Sequence, residues 1–180
     1  MKRIEVIIEG KIRKRLSEVR PDEKIIGVFL RRSKSIISLR TYNPKDPYPI
    51  NFSKVPELWK NYREKAEIDM KGEENTIKLN NLRLIGVSIR RNEYIPSLGQ
   101  VKDALMSRNR IGCIRKKLGL PSIPYDSWFL TSTVRDRCSV WLIRNDNNIF
   151  NDAFIGSWLY HNCKEHSCYI LAFLKTQKTK

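Results

Sequence analysis

The stretch His161-Asn162-Cys163-Lys164-Glu165-His166-Ser167-Cys168 holds both histidines of the chain and two of its four cysteines. Imidazole and thiolate are side chains that zinc favours. With Lys164-Glu165 as a two-residue hairpin turn, strand alternation would bring His161, Cys163, His166 and Cys168 to one face. The spacing differs from that of a zinc knuckle, and a flat face fits a tetrahedron poorly. The preferred reading therefore holds no metal, and the four-ligand set is the alternative. A Cys163–Cys168 disulfide is a further option in oxidising surroundings; in a reducing compartment these cysteines, with Cys113 and Cys138, stay thiols. Two histidines give acid–base chemistry few carriers. There is no Ser-His-Asp arrangement, no phosphate-cradling glycine loop and no Walker-like sequence. No clustered carboxylates offer a calcium site. The residue inventory points away from an enzyme and requires no cofactor.

Binding is better served. Between Arg135 and His166 the chain offers Asn145, Asp146, Asn147, Asn148, Asn151, Asp152, Trp158, Tyr160, His161, Asn162 and His166. Such a mixture of adaptable amides and aromatic anchors is typical of evolved binding surfaces. Trp158, set among Gly156, Ser157 and Tyr160, is the anchor candidate. The expected contacts are Arg135, Asn145, Asn147, Asn148, Trp158, Tyr160, His161, Asn162 and His166. The competing reading is an ordinary exposed loop with a few core aromatics.

Three apolar blocks frame that tract. Trp128 to Thr133, Val140 to Ile143 and Tyr169 to Phe173 are short, aromatic and branched, and bounded by polar residues, as strands of a meander are. Trp128 and Trp141 are read as core. Asn145 to Ser167 shows neither helical nor strand periodicity throughout. Upstream, Arg3–Ile8 reads as a strand. Lys24–Leu30 and Ser35–Leu39 read as a hairpin whose turn, Arg31-Arg32-Ser33-Lys34, lacks glycine. Gly27 marks a bulge or a close backbone approach. Prolines at 44, 47, 49 and 56 demand a loop. Pro56 opens a helix with Leu58, Trp59, Tyr62 and Ala66 on one face. Lys71–Asn81 reads as a polar surface excursion and Leu82–Ile89 as a strand. Ser97 with Gln100 forms a capping box for a helix facing inward through Leu98, Val101 and Leu105. A second helix aligns Ile111, Ile114 and Leu118 before a Gly119 stop. Segregated elements of this kind predict an α+β fold, with antiparallel strands and two or three helices, in one domain spanning 1–180.

The formal charge of +16, from 35 Lys+Arg against 19 Asp+Glu, favours an anionic partner such as nucleic acid. Arg13, Lys14, Arg15, Arg31, Arg32, Arg90 and Arg91 are the cations for that reading, which competes with a merely solvated charged face. Ile4–Ile8 is interrupted by Glu5, far short of a signal-peptide core. No stretch has the length of a membrane span, so no membrane insertion is expected.

Taken together, Ile26-Gly27-Val28-Phe29, Tyr94-Ile95-Pro96-Ser97-Leu98-Gly99-Gln100, Trp128 to Thr133, Trp141, Lys164 and Leu171-Ala172-Phe173 keep a familiar order and spacing. The pattern resembles C-type-lectin-like domains related to the formylglycine-generating enzymes, in the bacterial branch that includes the Fibrobacter major paralogous domain. Residues 91–180 match well and 1–90 loosely. Two departures stand out. The closing strand lacks the family's arginine, and Asn145-Asp146-Asn147-Asn148 replaces a glycine turn, although Asn and Asp tolerate left-handed backbone. None of the four cysteines sits in the active-site context of the family's enzymes. The resemblance implies a C-type-lectin-like fold and a non-catalytic C-terminal surface for a protein or glycan ligand. It includes the variable proteins of diversity-generating retroelements, which alter that surface. The expected location is cytoplasmic or on a phage particle; ligand identity and oligomeric state are left open.

Overall fold

A computed structural model describes residues 4–43, 52–82, 88–145, 155–158 (backbone only) and 168–175. The strands are β1 (Glu5–Ile8), β2 (Arg13–Arg15), β3 (Ile25–Leu30), β4 (Ser35–Tyr42), β5 (Glu93–Tyr94), β6 (Ser127–Asp136), β7 (Ser139–Asn145), β8 (Ile155–Trp158) and β9 (Cys168–Leu174). The helices are α1 (Arg63–Glu67), α2 (Gly72–Asn81), α3 (Leu98–Met106) and α4 (Arg108–Lys117). The fold is α+β. The strand order is β2-β1-β3-β4-β9-β6-β7-β8, with β5 paired to β9 off this path.

The last strand holds the sheet together. Along its length β9 pairs antiparallel with β4, from Ile36↔Leu174 to Tyr42↔Ile170. On its other edge its end pairs with β5, and its beginning runs parallel to β6 through Trp128↔Cys168 and Phe129↔Tyr169. The two tryptophan-bearing segments and the closing Ala172-Phe173 segment are thus adjacent strands, as the sequence predicts, but they do not form the expected antiparallel meander, because β9 runs parallel to β6. Both of their faces are covered, by apolar residues for most of their length and by the buried Thr131-Ser132-Thr133 in the middle of β6. Phe129, Trp141 and Ile143 pack with α3, α4 and the N-terminal strands, while Leu130, Val140 and Leu142 pack with Phe52, Val55, Leu58 and Leu79. Trp141 is core, and Trp128 packs half-buried against the second cluster. A buried carboxylate ties β5 to β4, the two strands that flank β9: Glu93 accepts from Ser38 Oγ at 2.6 Å and from the Tyr42 hydroxyl. Burial, and then this hydrogen bond, push the Tyr42 phenol up to about 12.

The glycine-free hairpin between β3 and β4 closes because Lys34 takes the left-handed backbone at φ 49°. Ser33 anchors it from outside, its N–H and Oγ donating to Asp103 of α3 at 2.9 and 2.6 Å. Gly27 is a close approach: a Cβ there would lie 2.8 Å from the Ile37 carbonyl oxygen. The β1–β3 register also slips beside it, between Ile7 and Ile8.

Several expectations need correcting. The helical face from Leu58 to Ala66 is not one helix. Pro56–Leu58 is a single 3-10 turn and α1 starts at Arg63, leaving Tyr62 65% exposed. Between them Lys60 donates its N–H to the Val134 carbonyl at 2.8 Å and accepts from Trp141 Nε1 at 2.7 Å, which draws the chain out of helical geometry. Lys71–Asn81 is no surface excursion but contains α2, which buries Gly72, Asn75, Thr76 and Leu79. Leu118 is 38% exposed beyond the end of α4, although Gly119 does take the left-handed stop at φ 66°. The polar tract contains a strand after all, β8. Most of the Leu82–Ile89 segment lies outside the described residues.

Candidate functional site

The register splits the predicted surface between two ends of a sheet. β8 pairs antiparallel with β7 from Val140↔Trp158 to Ile143↔Ile155. Trp158 is therefore level with the β6–β7 turn. Arg135 sits near the same turn, beside the Val134↔Val140 pair. Its guanidinium lies 5.3 Å from the Trp141 ring centroid, within cation–π range, and 3.7 Å from Asp136. Trp141 is itself buried and fixed by its bond to Lys60, so Arg135 rests on a rigid platform.

Asn145 is at the opposite end of β7, five residues from Val140, or roughly 16 Å at about 3.3 Å per strand residue. It is not an exposed contact. It is only 2% exposed, its Nδ2 donates to the Pro124 carbonyl at 2.6 Å, and its own carbonyl accepts from Asp126 at 2.7 Å. These bonds close the ribbon of β6 and β7, and they remove Asn145 from the surface that was expected to include it. Asn147, Asn148, Tyr160, His161, Asn162, Cys163 and His166 lie outside the described residues. Cys168, the fourth member of the alternative zinc set, starts β9 buried among Leu130, Val134 and Ile170, surroundings that suit a packed thiol. Among the described residues no group of three or more His, Cys, Asp or Glu could hold a metal ion. No helix among them is long and apolar enough to cross a membrane.

Sequence reasoning missed what holds this sheet to the helices. Asp69, buried between α1 and α2, accepts from Lys71 N at 3.0 Å, Asn75 Nδ2 at 3.0 Å and Thr133 Oγ1 at 2.8 Å. Thr133 Oγ1 accepts in turn from Leu98 N at 2.9 Å, at the start of α3. Ser97 donates its Oγ to the Asp69 carbonyl at 2.6 Å, and Gln100 Oε1 accepts from Ser97 N at 3.1 Å, the reciprocal half of the capping box. Gln100 Nε2 then donates to the Tyr94 hydroxyl at 3.0 Å, whose phenol burial pushes well above its ordinary range. Thr76 Oγ1 exchanges hydrogen bonds with the backbone of Ile95 at 2.9 and 3.0 Å. One connected polar network thus joins α2, α3, β5 and β6. The capping box was its only legible part. The rest of its signal is small and polar residues, Gly72, Asn75 and Thr76, at helical spacing.

The cations proposed for nucleic acid are largely answered within the chain. Glu5 pairs with both Arg13 at 2.7 Å and Arg31 at 2.9 Å; Lys14 pairs with Glu23, and Arg15 with Glu18 at 3.6 Å. Hydrogen bonds first from Arg31 and then from Arg13 hold the Glu5 carboxyl at about 2, below its ordinary 4.5. Because the folded pKa is lowered, the pairing stabilises the fold above about 4.5 and is lost as pH falls towards 2. Thermal melts across that window should show wild type converging on Glu5→Gln; a constant gap between them would contradict the pairing. Carboxylates are scarcer on α4. It carries Arg108, Arg110, Arg115, Lys116 and Lys117 and no acidic residue.

No family model, curated protein or solved structure matches this chain.

Proposed function

We propose that the chain is a non-catalytic ligand-binding module with a C-type-lectin-like fold. Its ligand is a protein or glycan taken at the C-terminal surface. Arg135 and Trp158 mark one end of that surface. Asn147, Asn148, Tyr160, His161, Asn162 and His166 supply adaptable contacts, and the whole is diversified in the manner of retroelement variable proteins. The observation that carries this reading is the strand order. The polar tract supplies β8, the strand at the end of the sheet path, while the neighbouring β6 and β7 have both faces packed. Connections on a stiff support can change residue by residue with little effect on the core, which is why binding groups concentrate there. The pairing of a late strand with both an early strand and the tryptophan-bearing ribbon also supports the lectin-like topology.

Population sequencing of this gene in its source community tests the reading. Variation should concentrate in the codons for 135 and 147–166, with those for Asp69, Gly72, Ser97 and Thr131–Thr133 held constant. Codons for 147–166 as uniform as those for the polar network would overturn it.

A further inference from the structure

A cavity of about 350 Å³ lies between α2 and the β3–β4 hairpin, lined among others by Ser35, Glu73, Ile77, Tyr94 and Gln100. Its hydrogen bonds are not closed within the described residues. The orientation of Gln100 shows why. Its Oε1 accepts from the Ser97 backbone N–H at 3.1 Å, which fixes the amide. Its Nε2 therefore faces Tyr94 and donates to that hydroxyl at 3.0 Å. An amide nitrogen only donates, so the Tyr94 oxygen is the acceptor and the hydroxyl proton must go elsewhere. Among the described residues nothing accepts it, although Tyr94 is only 3% exposed.

Ser35 is the converse case. Ser33 gives its one hydroxyl proton to Asp103 at 2.6 Å, so Ser35 is the donor in the 2.6 Å contact between the two serine hydroxyls. The buried Ser35 oxygen is left with lone pairs and no donor among the described residues. Glu73 lines the same space. No described residue gives it an ion pair or a hydrogen bond, whereas its neighbour Glu74 pairs with Lys71 at 4.0 Å. After burial, the Glu73 charge also raises the Tyr94 phenol, which places carboxylate and hydroxyl close together with no bond between them.

A buried donor without an acceptor, a buried acceptor without a donor and an unpaired carboxylate define what fits among them, because such groups are costly to leave unmet. An anion would accept from Tyr94 but meet the Glu73 charge. An ammonium would answer Glu73 but could not accept from Tyr94. A hydroxyl does both, and several on one small frame satisfy all three groups. Glu73 and Ile77 are four apart and share a face of α2, so an apolar side chain stands beside the carboxylate for the C–H face of a ring. The volume is at the small end for ligand sites and suits one ring of sugar size.

We propose that this cavity binds a small neutral cyclic polyol, one hydroxyl accepting from Tyr94 and others donating to Ser35 and Glu73. The site is separate from the C-terminal surface and stands if that reading fails. Amide NMR of the full chain, titrated in turn with myo-inositol, glucose, galactose and mannose, tests it. At least one should shift the amides of Ser33, Ser35 and residues 71–77 with a Kd of about 1 mM, the affinity that about a dozen heavy atoms reach. Glu73→Gln, at a half-buried position, should weaken that binding about tenfold, and Tyr94→Phe likewise. Glu57→Gln, the same change outside the cavity, should bind as wild type. Methyl glycosides of the same sugars separate the sources: binding retained admits a glycan chain end, and binding lost restricts the site to the free polyol. No shift at about 50 mM of any probe, far above that Kd, would overturn the proposal and leave the cavity to water. So would Glu73→Gln and Tyr94→Phe variants that bind as wild type. Shifts confined to Arg135 and residues 147–166 would move the polyol to the C-terminal surface and overturn the cavity as its site. Inorganic phosphate shifting the cavity amides where the polyols do not would overturn it in favour of an anion.

Discussion

Replacing Asp69 with alanine is expected to cost about 3–5 kcal/mol, a large part of the stability of a domain this size. The carboxylate is buried and accepts three hydrogen bonds, from the Lys71 N–H, the Asn75 amide and the Thr133 hydroxyl. Alanine removes every acceptor and leaves those donors without replacements in a space that water does not reach. Each orphaned buried donor costs about 1–3 kcal/mol. The loss also spreads, because the Thr133 hydroxyl is what receives the first N–H of α3. Asp69→Asn keeps one acceptor oxygen and should fall between alanine and wild type. Urea unfolding measures this directly: the midpoint should drop with the slope unchanged. A loss below about 1 kcal/mol for alanine would mean that the network is not what couples the helices to β6.

Gly72→Ala should be nearly as damaging, for a steric reason. A Cβ at Gly72 would lie 2.2 Å from Gln100 Oε1, 2.5 Å from Ser97 N and 2.8 Å from Pro96 Cα. The first neighbour is a side chain that can move, at the expense of the capping box. The other two are backbone, so α2 must retreat from the start of α3. A loss of about 3 kcal/mol is expected, at the upper end for overpacking. Gly112→Ala is the internal control. Nothing stands within 4 Å of its Cβ position, so the gain in helix propensity, up to about 1 kcal/mol, should appear undiminished. Paired thermal melts should therefore move in opposite directions, with Gly112→Ala raising Tm by about 2–4 °C. Equal shifts would show that the contact between α2 and α3 is looser than these distances state.

What the sequence made legible, and what it hid, follows from how local each interaction is. The strands β6, β7 and β9 announced themselves because both of their faces are covered, which leaves short blocks dense in aromatic and branched residues, Trp128–Leu130, Val140–Ile143 and Tyr169–Phe173. The start of α3 was legible because a capping box lies within four residues. Helix α2 was hidden because its buried stripe, Gly72, Asn75, Thr76 and Leu79, is mostly small or polar and is stabilised by hydrogen bonds to residues far along the chain. The apolar period from Leu58 to Ala66 misled for the opposite reason: a β6 carbonyl and the Trp141 indole claim the backbone of Lys60. Among the site residues, Arg135 and the backbone of Trp158 fall at one end of the sheet. Asn145 looked like part of a polar turn, and only the Pro124 carbonyl, 21 positions earlier, shows why it is buried. The cations of β2 looked available because Glu5 is remote in sequence from Arg31 yet adjacent across strands.

A binding surface that varies freely requires the residues that hold the fold and the residues proposed to meet the ligand to be separate sets. A proteolysis-based stability scan of every single substitution distinguishes the two. Substitutions at 147, 148, 158, 160–162 and 166 should leave stability within about 0.5 kcal/mol, while those at Asp69, Gly72, Ser97 and Thr133 should lose about 2 kcal/mol or more. If the C-terminal positions prove as sensitive as the polar network, they belong to the scaffold, and the binding surface must be sought elsewhere.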